Sequence, residues 1–134
     1  MRQFIGSLFR FSVLRFVLTG VLNTVVGLGI IFALKWWLGM NDTLANLLGY
    51  GVGLMVSYVV NSRWTFRYRE SLLPVLPQYA AVVLVAYGVN LACVHFCLDV
   101  LHLDSYLAQA MGVLPYAGLT YVLLRLWVFK PAVK

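Results

Sequence analysis

The sequence predicts an all-α polytopic membrane protein: four transmembrane helices, both termini cytoplasmic, in two tandem two-helix units of parallel orientation. Three observations predict it. The chain of 134 residues is 63% hydrophobic and only 10% charged, whereas a soluble domain is roughly a quarter charged. Its mean hydropathy is +0.90, and a soluble fold of this size has too much surface for its volume to hide that much apolar area. Four runs, 16–34, 43–62, 71–98 and 105–124, carry no charge, and about 20 helical residues cross a hydrocarbon core of about 30 Å. Length allows one domain, 1–134, and a soluble globular enzyme is excluded.

Basic residues orient the spans. Arg2, Arg10 and Arg15 precede the first, Arg63, Arg67 and Arg69 separate the second and third, and Arg125, Lys130 and Lys134 follow the fourth. Lys35, Asp42, Asp99 and Asp104 lie on the other side. The asymmetry places both termini in the cytoplasm, so the net charge of +6 reports membrane topology and attraction to anionic headgroups, with no nucleic-acid partner implied.

Taken in order, Phe4, Ile5, Leu8, Phe9 and Phe11, interspersed with Arg2, Ser7 and Arg10, predict a short interfacial helix. It runs into the first span without a small-residue cleavage site, unlike a signal peptide. In the second span Gly49 and Gly53 form a small-xxx-small pair for close helix packing. The third run is too long for one span, and Pro74 and Pro77 predict that its helix starts near Pro77. Cys93 and Cys97, one turn apart on that helix, read as small apolar filler. Pro115 predicts a bend in the fourth span.

An internal repeat at an offset of 63 residues relates approximately 15–67 to 78–130. Tyr58, Trp64, Phe66 and Arg67 fall over Tyr121, Trp127, Phe129 and Lys130, while Leu44, Ala45, Asn46 and Gly49 fall over Leu107, Ala108, Gln109 and Gly112. A duplicated two-helix unit gives halves of the same orientation. Phe66, Trp127 and Phe129 are candidate interfacial anchors beside basic residues that reach the headgroups.

No Asp, Glu, Lys or Arg occupies the centre of a span, which weighs against a proton-coupled antiporter. His95 alone makes neither a proton relay nor a metal site, and no cofactor is expected. Paired carboxylates, a nucleophile elbow and a phosphate loop are all missing, so the chain is not expected to be an enzyme. Uncharged polar groups are plentiful, and hydrocarbon cannot satisfy them. Asn23, Thr24, Tyr58, Asn61, Trp64 and Asn90 are the candidate pocket residues, able to hold a sugar or to bond between helices. Arg15, Arg63, Arg67 and Arg125 are the candidate phosphate ligands, since guanidinium groups form charge-assisted bonds with phosphate.

The opening Arg15-Phe16-Val17-Leu18-Thr19-Gly20-Val21-Leu22-Asn23-Thr24, the run Ser57-Tyr58-Val59-Val60-Asn61-Ser62-Arg63-Trp64-Thr65-Phe66 and the closing Trp127-Val128-Phe129-Lys130 resemble the GtrA family over about residues 11–130. The resemblance implies a bacterial inner-membrane protein that flips a polyprenyl-phosphate-linked monosaccharide, notably undecaprenyl-phosphate glucose, for cell-surface polysaccharide synthesis or O-antigen modification. It also implies a glycosyltransferase partner, while a bulky sugar headgroup calls for more than four helices and hence a homodimer. The second half departs from the first, with Leu124 and Leu126 opposite Asn61 and Arg63. Two other readings stay open: a non-transporting scaffold for a glycosyltransferase, docking through Gly49-x-x-x-Gly53, and a small four-helix efflux protein.

Overall fold

The computed structural model of the chain describes the backbone of residues 2–130 and the side chains of 10–130. Among the described residues all regular structure is helical, and four helical segments are long and apolar enough to cross a membrane: Arg10–Leu38, Asp42–Thr65, Leu73–Asp99 and Ser105–Val128. Only 17 to 28% of each apolar window is buried. The remaining surface is what hydrocarbon, unlike water, accepts without cost. The chain divides into two compact units, Met1–Arg69 and Glu70–Lys134.

In the first unit α1 (Arg2–Leu38) turns back into α2 (Asp42–Val60). The interfacial segment expected at the start is continuous with α1; of its side chains Arg10 and Phe11 are exposed, and those of residues 2–9 lie outside the described residues, as does Lys134. Gly39 makes the reversal with φ +62°, where L side chains are strained, and Met40 N–H donates to the Leu34 carbonyl at 3.2 Å. Asn41 then caps α2, its Oδ1 accepting from Leu44 N–H at 2.9 Å. Lys35 and Asp42 pair across the turn, an exposed contact worth little.

The two helices pack through glycine. A Cβ on Gly49 would collide with Ile31 and lie 2.9 Å from the Gly27 carbonyl oxygen, and one on Gly53 would meet Asn23 Oδ1. Contacts move down α1 as they move up α2, so the pair is antiparallel. The Gly49-x-x-x-Gly53 face, expected in the scaffold reading to receive a partner, is buried against α1. Its missing side chains are used within the unit, and no docking surface remains there.

The second unit holds α3 (Leu76–Asp99) and α4 (Ser105–Leu123). A 3-10 turn over Leu73–Val75 leads into α3, with Pro77 in its first turn, where a missing N–H costs nothing. His102 makes the reversal at φ +51°, Leu103 N–H donates to the Cys97 carbonyl at 3.0 Å, and Asp104 caps α4 by accepting from Tyr106 and Leu107 N–H groups at 3.0 and 3.1 Å. A Cβ on Gly112 would meet Val94 Cγ2 at 2.6 Å and Asn90 Nδ2 at 2.7 Å. Val94, Cys97 and Ala108 form a small core flanked by Cys93, Leu98 and Leu103, and both cysteines are free thiols. Pro115 lies inside α4. His95 Nδ1 is 3.7 Å from Asp99 Oδ2 on the exposed side of α3.

Both units end alike. The charge-free runs stop at 62 and 124, yet the helices continue as π-helical turns over Asn61–Thr65 and Leu124–Val128. Phe66 N–H donates to the Asn61 carbonyl at 2.9 Å and Phe129 N–H to the Leu124 carbonyl at 2.7 Å. Phe16 packs on Phe66 and Tyr79 on Phe129, each with ring centroids 6.4 Å apart. The reversal, the cap, the glycine contact, the π turn and the ring pair of the second unit each fall 63 residues after their counterparts in the first.

His102 occupies a left-handed turn position that the first unit gives to Gly39. Relief of that strain, less the entropy glycine loses on folding, leaves about 0.5–1 kcal/mol. His102→Gly is therefore expected to raise the unfolding free energy in detergent by that amount, measured by chemical denaturation; an unchanged or lowered value contradicts the strain.

Candidate functional site

The end of α2 is built by competition for backbone carbonyls. Ser62 hydroxyl donates to the Val59 carbonyl at 2.9 Å and Asn61 Nδ2 to Ser57 Oγ at 3.1 Å, bonds that draw polar side chains onto the helix itself. The following turn widens to π geometry, a feature frequent at functional sites. It buries Asn61, Ser62 and Thr65 and leaves Arg63 and Trp64 exposed.

Three contacts fix this turn to α1. Thr19 donates its hydroxyl proton to the Arg15 carbonyl at 2.9 Å. In its 3.2 Å contact with Thr65 Oγ1 Thr19 is therefore the acceptor and Thr65 the donor. Phe16 meets Phe66. Arg15 Nη1 donates to the Trp64 carbonyl at 3.3 Å, its guanidinium 5.7 Å from the centre of the Trp64 ring, within cation–π range. Beyond the turn Arg67 reverses the chain at φ +53°. Tyr68 N–H then closes onto the Ser62 carbonyl at 2.7 Å, and Arg63 Nη1 donates to the Tyr68 carbonyl at 2.8 Å.

The reversal folds the segment after α2 over its own end. The result is a cleft of about 670 Å³ lined by Arg15, Arg63, Trp64, Arg67, Tyr68 and Arg69. Four guanidinium groups and no carboxylate line it, and arginine stays charged at any physiological pH. Such a set has the charge and the donors to suit an oxygen anion such as phosphate, with aromatic surface beside it.

Three of the four expected phosphate ligands, Arg15, Arg63 and Arg67, meet in this cleft with Trp64. Arg125 belongs to the second unit, where its Nη1 donates to Tyr121 hydroxyl at 2.8 Å. Of the expected pocket residues, Asn61 is 3% exposed and its Oδ1 is buried without a hydrogen-bond partner. Tyr58, three residues earlier on α2, is also buried. Asn23 packs on Gly53, and Asn90 on Gly112 in the other unit. Thr24 is exposed on α1 and spends its hydroxyl on the Gly20 carbonyl at 3.1 Å. Among the expected anchors, Trp127 is exposed, whereas Phe66 is half-buried and Phe129 is 2% exposed, so these two rings face their own units' interiors. Sequence reasoning missed Tyr68 and Arg69 as lining residues. Only the left-handed turn at Arg67 brings them over the cleft, and arginine is not a residue that signals such a turn. Among the described residues no group of three His, Cys, Asp or Glu is placed to hold a metal ion.

A family profile described as GtrA/DPMS, transmembrane domain, matches residues 15–129. The match begins at the cleft's α1 arginine and ends at the phenylalanine that closes the second π turn.

The Thr19–Thr65 bond is buried and joins α1 to the π turn. Thr65→Val keeps the volume and removes the donor, and is expected to lower stability in detergent by about 0.6 kcal/mol and by no more than about 1.7. An unfolding curve that coincides with that of the native protein would show that the bond does not hold the turn.

Proposed function

The chain belongs to the GtrA/DPMS transmembrane-domain family, and we propose that it flips a polyprenyl-phosphate-linked monosaccharide from the cytoplasmic to the opposite leaflet of the bacterial inner membrane. The family has a general, non-catalytic role in handling polyprenyl-phosphate-linked sugars at the membrane. The observation that carries the finer reading is the cleft of Arg15, Arg63, Trp64, Arg67, Tyr68 and Arg69 at the basic end of α1 and α2. In this reading both termini are cytoplasmic and the cleft opens at the headgroup level.

The guanidinium groups of Arg15 and Arg63 receive the phosphate, with Arg67 beside them, and the prenyl tail stays in lipid. Trp64 and Tyr68 offer aromatic surface to the sugar, and the unpartnered Asn61 Oδ1 accepts from a sugar hydroxyl; an unmatched buried acceptor is costly until it finds a donor. Arg125 and Trp127 keep a headgroup-anchoring role in their own unit. Net movement is downhill, drawn by sugar transfer on the far side, and a glycosyltransferase and a second copy of the chain are the partners. The two units are read as a parallel tandem duplication, supported by the features that recur at the 63-residue offset.

Proteoliposomes containing the purified protein are expected to move polyprenyl-phosphate glucose between leaflets faster than protein-free liposomes. Arg63→Ala should slow that movement by about tenfold or more, the worth of one charge-assisted bond, while the protein still inserts. Transport by the variant at the native rate would overturn the assignment of Arg63.

A further inference from the structure

The charge balance of the cleft goes beyond what a sugar-bearing lipid needs. A polyprenyl-phosphate-linked sugar is a phosphodiester with one negative charge, yet four guanidinium groups and no carboxylate are among the side chains that line the site. Arg15 reaches in from α1, and Arg63, Arg67 and Arg69 from the π turn and the segment after it. None of these groups can lose its proton, so the formal charge of the lining side chains exceeds that of a monoanion. A phosphomonoester carries close to two charges at neutral pH and a third terminal oxygen, and so engages more of the fixed guanidinium forks.

Chemistry on the far side of the membrane supplies such a ligand. When an acceptor hydroxyl takes the sugar, the anomeric carbon–oxygen bond to phosphate breaks. The bonding pair stays on the phosphate oxygen, the hydroxyl proton is released, and the lipid is left as a phosphomonoester. We propose that the same cleft binds this unglycosylated carrier lipid, more tightly than the sugar-bearing phosphodiester, so that the protein exchanges loaded carrier for spent carrier. The inference rests on the flipping reading for its physiological setting, but the preference for a monoester follows from the lining charges alone. Exchange supplies the return path that a one-way carrier lacks: each sugar delivered leaves one lipid phosphate to be brought back.

The test compares two probes with the same tail, phytanyl phosphate and its methyl diester, against the purified full chain in nanodiscs, with inorganic phosphate as a third ligand. At pH 7.5 the monoester is expected to bind at least about tenfold tighter than the diester, the effect of one further charge held close to a guanidinium. As pH falls through about 6, where a phosphomonoester dianion takes up one proton and becomes a monoanion, the ratio should shrink toward one. The diester's own affinity should stay flat, because no His, Asp or Glu is among the lining side chains. Glu70 adjoins Arg69 in sequence, so Glu70→Gln is included, and the pH profile should survive it. Equal affinity for the two lipids at every pH, or a profile abolished by Glu70→Gln, overturns the exchange proposal and leaves the flipping reading standing. Failure of both lipids to bind overturns both readings, as does binding of inorganic phosphate as tight as that of phytanyl phosphate.

Discussion

The carbonyl groups at the end of a membrane helix must find donors, and in the first unit that requirement shapes everything around the cleft. Hydrocarbon offers no donors, and the last four carbonyls of a helix lack partners within it. Here the end of α2 is closed by a π turn, by Tyr68 N–H reaching back to Ser62, and by two arginines that donate to the carbonyls of Trp64 and Tyr68. Arg15 caps the π turn, and Arg63 ties down the segment that follows it. Their placement, one on α1 and one within the π turn, also brings two fixed positive charges to the mouth of one cleft. The side chains that hold the turn are therefore also among those that give the cleft its charge.

The second unit shows what the frame does without that equipment. It has the same kind of reversal, cap, glycine contact, π turn and ring pair, but Gln78 stands at the offset position of Arg15, Leu124 at that of Asn61 and Leu126 at that of Arg63. Leu124 is fully buried where the first unit buries Asn61. The frame is satisfied equally by an apolar and a polar residue there, so packing alone does not explain Asn61. An unpartnered buried oxygen is a cost; the first unit carries one at Asn61 Oδ1 and the second carries one a turn earlier, at Thr120 Oγ1, while Leu124 is apolar.

Much of this was legible in the sequence because the membrane imposes coarse, strong signals. Charge-free runs set the four spans, Pro77 set the start of α3, and a fixed offset aligned residues that prove to hold equivalent places, such as Gly49 and Gly112. Arg15, Arg63 and Arg67 were legible as a group because basic residues gather at one end of the spans, and Trp64 because it adjoins Arg63. Other features were hidden by local geometry. Hydropathy does not distinguish an α from a π turn, so the helices run on to Thr65 and Val128 beyond the charge-free runs. Thr24 read as pocket lining because it is polar, but a threonine can satisfy itself on its own helix, and this one does. Phe66 and Phe129 read as anchors because aromatic residues gather at interfaces, yet each packs on a ring of its partner helix instead. Gly49 and Gly53 marked a close approach, and only the structure assigns that approach to α1.

The double duty of the arginines also bears on how tightly the cleft should hold its ligand. A carrier needs a site favourable enough to enter and weak enough to leave, as a conducting pore does. Four guanidinium groups with no acceptors of their own would hold a phosphate too long for turnover. Arg15 and Arg63 are not in that condition, because each already donates to a backbone carbonyl at 3.3 and 2.8 Å respectively. A phosphate that draws either group away must leave the corresponding carbonyl to water, so part of the charge-assisted gain is offset by the bond given up. The backbone thus acts as a built-in competitor, always present and never diffusing away. In the proposed reading Arg67 and Arg69 would add attraction, while Arg15 and Arg63, each bonded to a carbonyl, would limit it. Replacing Arg15 or Arg63 would then change both sides of that balance, whereas changing Arg69 would alter mainly the attraction.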